Sequence, residues 1–275
     1  MRRQRTLAYL ALALALVLAF AYLFPVYVLF INSFKTQKAI YIDVIHLPRK
    51  NSFTWQNYPV AMEKIGYWRA LGNSLLISAT SVILLIVFCS MAAWALVRNK
   101  RRLSAALFML FAASILIPFQ TVMLPLLKIM GWAGLTSRAG LMVANLGFGA
   151  SMTIILFHGF IKNVPLELEE AARIDGCSSL RTFWQIVFPL LKNITITAAI
   201  INVMWIWNDY LLPSLIINKP RTQTLPLRTF FFFGQFSKRW DLGTAGLIMG
   251  MVPIILFYLL AQKHIIKGVA EGAIK

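Results

Sequence analysis

Acidic residues are scarce in this chain, nine among 275, yet Glu167, Glu169, Glu170 and Asp175 crowd into one stretch. That stretch runs from Asn163 to Leu190 and reads NVPLELEEAARIDGCSSLRTFWQIVFPL. No nucleophile–base pair or set of metal ligands accompanies the acids, so the chemistry it suits is docking rather than bond breaking. Asn163 can cap a helix and Pro165 suits its first turn. The glutamates lie toward the positive end of the helix dipole and Arg173 near the negative end, with Glu169 and Arg173 spaced i, i+4. Val164, Leu168, Ala171 and Ala172 share a face at helical spacing. Gly176 ends this helix where a left-handed residue is needed. Ser178 or Ser179 then caps a second, amphipathic helix whose apolar face is Leu180, Phe183, Trp184, Val187 and Phe188.

A second group with chemical potential is Trp205, Trp207, Asn208 and Asp209. Asp209 is the one acid expected inside an apolar run, roughly 22 Å from the start of that run at 1.5 Å per residue. Such an acid faces protein or a water-filled cavity, because lipid exposure costs roughly 2.5–3.5 kcal/mol near mid-bilayer. Two readings stand: these residues border a solute path, or they form an outer aromatic belt with a helix-packing polar pair. Gln120 and Asn145 are further polar residues within apolar runs, suited to interhelical hydrogen bonds or to contact with a solute.

The elements that must hold these groups are membrane helices. Apolar residues make up 59% of the chain and charged residues 13%, which excludes an ordinary soluble fold. Six apolar runs, at about 7–31, 75–97, 103–127, 140–161, 194–217 and 243–260, are each expected to span a bilayer core. They are interrupted by Pro25, Pro118, Pro125, Pro213 and Pro253, which neighbouring helices can accommodate. The first run is too long for a signal-peptide core and is read as a retained helix. The net charge of +18 resides mostly between the runs, where it meets headgroups and water rather than nucleic acid. Basic residues divide almost evenly between the two sides. The tightest clusters, at the N-tail and at Arg98, Lys100, Arg101 and Arg102, fall on one side, which is placed in the cytoplasm with both termini and the loop 162–192. Asn32–Ala70 is expected to be a longer external segment. Cys89 and Cys177, with His46, His158 and His264, are too scattered for a disulfide framework or a metal site.

Glu170-Ala171-Ala172, Gly176 after three further residues, and Ile186 and Pro189 beyond nine more resemble the EAA motif of ABC importer permeases, with Phe188 where that pattern has leucine. Ile174-Asp175-Gly176, Pro189-Leu190, Trp207-Asn208-Asp209-Tyr210, Trp55 with Asn57-Tyr58, Asn73-Ser74 and the tail Gln262-Lys263…Gly268…Glu271-Gly272-Ala273 are similar to maltose-type carbohydrate permeases. The likeness therefore covers nearly the whole chain. It implies an all-α integral membrane protein of the inner membrane, one permease domain over 1–275, with a cytoplasmic helix-turn-helix coupling loop between the fourth and fifth spans. It further implies that Glu170, Ala171, Ala172, Asp175, Gly176, Ile186 and Pro189 contact a cytoplasmic ATPase dimer. The other implied partners are a second permease and an extracytoplasmic solute-binding protein delivering a carbohydrate. No cofactor is expected, and no G-x-x-x-x-G-K-[ST] occurs, so ATP hydrolysis falls to a separate subunit. The alternatives are a secondary transporter built on Asp209 and a membrane-embedded enzyme.

Overall fold

A computed structural model describes residues 2–234 and 238–273, with side chains from Tyr9 to Lys263 apart from 235–237. The side chains of the tail motif beyond Lys263 lie outside the described residues. The long apolar runs form helices: α1 (Arg2–Ser33), α4 (Tyr67–Arg98), α7 (Arg138–Ile161) and α13 (Trp240–Ala273). Between them lie α2 (Gln37–Ile42), α3 (Asn57–Ile65), α5 (Arg102–Ser114), α6 (Phe119–Trp132), α8 (Leu166–Ile174), α9 (Ser179–Leu190), α10 (Lys192–Asn208), α11 (Leu211–Ile216) and α12 (Leu225–Thr229). Among the described residues there is no strand, only two isolated bridges. Among the described residues four helices are long and apolar enough to cross a membrane. Pro25 and Pro253 sit inside continuous helices, which bilayer helices tolerate when neighbours satisfy the freed carbonyls.

Two of the expected spans are not single helices. The run 103–127 breaks into α5 and α6, bent by 106°. Pro118 stands in extended backbone at the entry to α6, and its missing N–H closes off a helix arriving from Ser114. The run 194–217 ends at Asn208, after which Asp209 turns extended and α11 begins separately. Upstream, α9 and α10 meet at Leu191 with a bend of 81°. Counting each bent pair as one span gives up to six.

The chain divides into two compact units, Met1–Trp68 with Arg228–Pro253, and Arg69–Leu227 with Ile254–Lys275. In the first, Gly66 at φ +62° ends α3, and Arg228 donates to the Ile65 and Lys64 carbonyls there. Those carbonyls have no partner within the helix, so the guanidinium satisfies a helix end. In the second unit α7 is central: half of its apolar window is buried, against 6% for α1. It packs on α5, α10 and α11. At Gly149 α7 comes close to α4 and α10, since a Cβ there would sit 2.8 Å from the Leu85 side chain and 3.2 Å from Asn202 Oδ1. Asn73 and Ser74 tie down the 221–225 segment. Asn73 donates to the Arg221 and Gln223 carbonyls and Ser74 Oγ accepts from the Leu225 amide.

Candidate functional site: a helical tip and a cavity among the helices

The glutamate-rich stretch folds as helix, turn, helix. The Gly176 amide bonds to the Arg173 carbonyl and the Cys177 amide to the Ala172 carbonyl, with Gly176 at φ +80°. This pair of bonds is the Schellman ending of α8, and it favours glycine because a Cβ is strained at that φ. Ser178 caps α9 by accepting from the Arg181 amide. Asn163 does not cap α8; its amide donates back to the Gly159 carbonyl, and Pro165 occupies the cap position.

The buried face of α8 differs from the expected one. Leu168 and Ala171 are exposed, while Val164, Glu169 and Ala172 are buried. Glu169, 0% exposed, does not pair with Arg173. Its Oε1 accepts from Arg98 Nε at 2.8 Å and lies 2.8 Å from Arg98 Nη2 in an ion pair, and its Oε2 accepts from Trp94 Nε1 at 3.1 Å. Arg98 also donates to the Val164 carbonyl at 2.8 Å. The last turn of α4 is thereby clamped to α8, with both carboxylate oxygens satisfied as burial of a charge requires. Beneath α9, Phe183 and Val187 are fully buried and Trp94 packs on Phe183 at 5.3 Å. Residues 183–187 are wound as a π-helix, the Phe188 amide reaching the Phe183 carbonyl. Outside this base stand Glu170, Ala171, Asp175, Gly176 and Pro189, all exposed, with Ile186 partly so. Ile174 projects with 86% of its surface free.

The second site is a cavity of about 590 Å³ in the same unit, lined by residues of α6, α7, α10 and α11 and the turn between α5 and α6. Three of the residues singled out in the sequence meet there: Gln120, Trp205 and Asp209. Asp209 Oδ1 accepts from the Leu211 and Leu212 amides, so its carboxylate also caps α11. The other three do not line it. Trp207 and Asn145 are buried, Asn145 donating to Ser81 Oγ at 3.1 Å. Asn208 folds back on the Met204 carbonyl of its own helix. Sequence reasoning missed Asn202 and Ser114, which do line the cavity. Asn202 donates to Thr153 Oγ1 at 3.0 Å, and Ser114 and Ser151 share a hydroxyl contact of 2.6 Å. An amide within the apolar run of α10 was the available signal for Asn202; for Ser114 there was none. No group of histidine, cysteine or carboxylate able to hold a metal occurs among the described residues.

Comparison with known proteins bears on what this arrangement serves. The family described as "Binding-protein-dependent transport system inner membrane component" matches residues 85–271. The chain belongs to that family. The match includes the helical tip and the cavity. The chain is 42% identical over its whole length to the "Probable starch degradation products transport system permease protein AmyC" of Thermoanaerobacterium thermosulfurigenes, all of which is covered. It is 37% identical to the "Multiple sugar-binding transport system permease protein MsmG" of Streptococcus mutans, over 92% of each chain. Among solved structures, one chain of a bacterial ABC transporter for import of the acidic polysaccharide alginate superposes with a TM-score of 0.81 at 21% identity. The superposition covers 96% of this chain and 98% of that one, and identifies the fold. Family membership makes this chain an integral component of the inner membrane.

Proposed function

We propose that the chain is the permease subunit of an ATP-binding-cassette importer for a sugar or oligosaccharide. Together with a second permease it forms the transmembrane path, as one permease domain of six spans in which each bent helix pair counts once. An extracytoplasmic binding protein delivers the solute, and a separate cytoplasmic ATPase dimer supplies the work. Both termini and the α8–α9 tip face that ATPase. The observation that carries this reading is the tip itself. An 86%-exposed isoleucine, Ile174, stands beside the left-handed Gly176 on a base where Glu169 and Phe183 are fully buried. A large apolar side chain held out on a rigid, polar turn is an anchor for a partner's pocket. Glu170, Ala171, Asp175, Gly176, Ile186 and Pro189 make the contact surface, and Ala172 seats α8 from beneath. Sugar as the solute class is supported by the starch-product and multiple-sugar permeases to which the chain is similar. Gln120, Trp205 and Asp209 border the path, joined by Asn202.

Tagging the chain in its native membrane and identifying what co-purifies tests this. Gly176→Asp adds charge and a strained Cβ at the turn. It should insert normally and lose the ATPase subunit while keeping the second permease. Recovery of an unchanged complex from that variant would refute the tip as the ATPase contact. Recovery of the wild-type chain alone would refute the importer reading. Reconstituted with its binding protein, the complex should show ATP hydrolysis stimulated by oligosaccharides; stimulation only by other solute classes would refute the sugar assignment.

A further inference from the structure

Beyond the end of α1 the chain forms a small outer structure, residues 34–58, that takes part in neither the tip nor the cavity of the second unit. Lys35 lies there with 2% of its surface exposed. Its ammonium donates to the Asp43 carbonyl at 2.8 Å and forms no ion pair among the described residues. Burial holds this amine below its ordinary range, with the Asp43 charge offsetting part of the effect. A buried ammonium satisfied by a neutral oxygen favours any anion that can approach it.

Lys35 lines a cavity of about 890 Å³, together with Lys38, Arg49 and Lys50, which are exposed and unpaired among the described residues. Asp43 is the one carboxylate in the lining. Its Oδ1 is already engaged by the His46 ring at 2.9 Å and by the Ile45 and His46 amides. The cavity therefore holds four basic side chains against a single, committed carboxylate, and its volume lies in the range of small-molecule sites.

The same segment exposes apolar groups that water would not favour: Ile42 at 86%, Leu47 at 67%, Tyr41 at 64% and Ile45 at 54%. It follows directly on the 25-residue apolar helix Tyr9–Ser33, where hydrocarbon gives way to headgroups. Trp55 and Phe53, each more than half exposed, stack on Phe34 beside it. Aromatic rings, exposed aliphatics and unpaired cations in one short segment are the composition of a membrane-interface element. A soluble anion would account for the cations and leave the exposed aliphatics without a partner, whereas a phospholipid supplies a phosphate and acyl chains in one molecule.

We propose that this cavity binds the headgroup phosphate of an anionic phospholipid. Lys35, Lys38, Arg49 and Lys50 hold the phosphate, and Ile42 and Leu47 meet the acyl chains. The inference stands apart from the ATPase-coupling reading, since it needs only the first unit and a membrane.

Native mass spectrometry of the purified complex, in neutral detergent with defined additions of lipid, tests it. The probes are dioleoylphosphatidylglycerol, dioleoylphosphatidylcholine and inorganic phosphate. The wild type should retain phosphatidylglycerol at least about tenfold better than phosphatidylcholine. Each surface cation contributes roughly fivefold to binding of an anionic lipid surface. The triple variant Lys38→Gln, Arg49→Gln, Lys50→Gln, all at exposed positions, should therefore lose tens-fold or more in retention. A control removing equal charge elsewhere, Lys100→Gln, Arg101→Gln, Arg102→Gln, should keep it. Equal retention of both lipids, or equal loss in both triple variants, would overturn the proposal. Inorganic phosphate displacing the lipid at matched concentration would show a free-anion site instead. Unchanged lipid retention with loss only of binding-protein-stimulated activity would show an acidic protein face as the occupant, and would overturn it too.

Discussion

Replacing Glu169 by glutamine should release α8 from the end of α4. The carboxylate is wholly buried and its Arg98 partner's side chain is 16% exposed, so solvent screens the pair little. Glutamine keeps the volume and one carbonyl acceptor. It turns the charge-assisted bond from Arg98 into at most a neutral-acceptor one, weaker by about 1 kcal/mol, and leaves the guanidinium without a counter-charge. The expected destabilisation is about 3 kcal/mol, at the low end of the roughly 3–5 kcal/mol for breaking a buried pair. Arg98→Met strands the carboxylate and should cost at least as much. The double variant removes both charges, and its loss should fall about 2 kcal/mol short of the sum. Denaturant unfolding of the purified complex measures all three. Solute-stimulated ATP hydrolysis, read in parallel, should fall in both single variants if the clamp transmits motion from the tip to α4. Additivity within about 0.5 kcal/mol would refute the pairing as an energetic unit. A stability loss with fully coupled hydrolysis would refute its role in transmission.

Three further outcomes follow from particular contacts. A Cβ at Gly140 would overlap the Leu135 carbonyl oxygen, whereas at Gly147, in the same helix, nothing lies within 4 Å. Gly140→Ala should cost more than about 2 kcal/mol and Gly147→Ala should be neutral or stabilising by up to about 1 kcal/mol, read from unfolding midpoints. Asp209→Asn retains a capping side chain, so α11 should keep its stability within about 1 kcal/mol while Asp209→Ala loses about 1–2 kcal/mol. Uptake kinetics unchanged in the stable Asn variant would remove Asp209 from the solute path. The Asp43 carboxylate is pulled down to about 2, first by the hydrogen bond from the His46 ring and then by backbone amides. Its folded value lies below the unfolded one near 4, so the stabilising contribution is complete above about pH 4 and is lost as pH falls through 2. Amide protection at Ile45 and His46 should be constant from pH 7 to 4; earlier loss would refute the turn.

What the sequence determined by itself is local. The apolar runs, the left-handed turn at Gly176, the Ser178 cap and the exposed acid Glu170 depend on residues within a few positions of one another, where capping and backbone sterics act. The family motif also lies in that range, because its residues fall on two short helices joined by one turn. Tertiary structure alone decided the rest. Glu169 reads as a surface acid paired to Arg173 until α4 brings Arg98, 71 positions away, against it. Asn202 gains its partner Thr153 across 49 positions, and the cavity exists only where α6, α7, α10 and α11 converge. In a membrane helix the lipid-facing and core-facing residues are both apolar, so helical periodicity carries little contrast about which face meets which neighbour. For the same reason Pro118 and Pro253 look alike in sequence, although one stands in the break between two helices and the other is absorbed within one. Whether a proline breaks a span is settled by what satisfies the freed carbonyls, and those partners come from other helices.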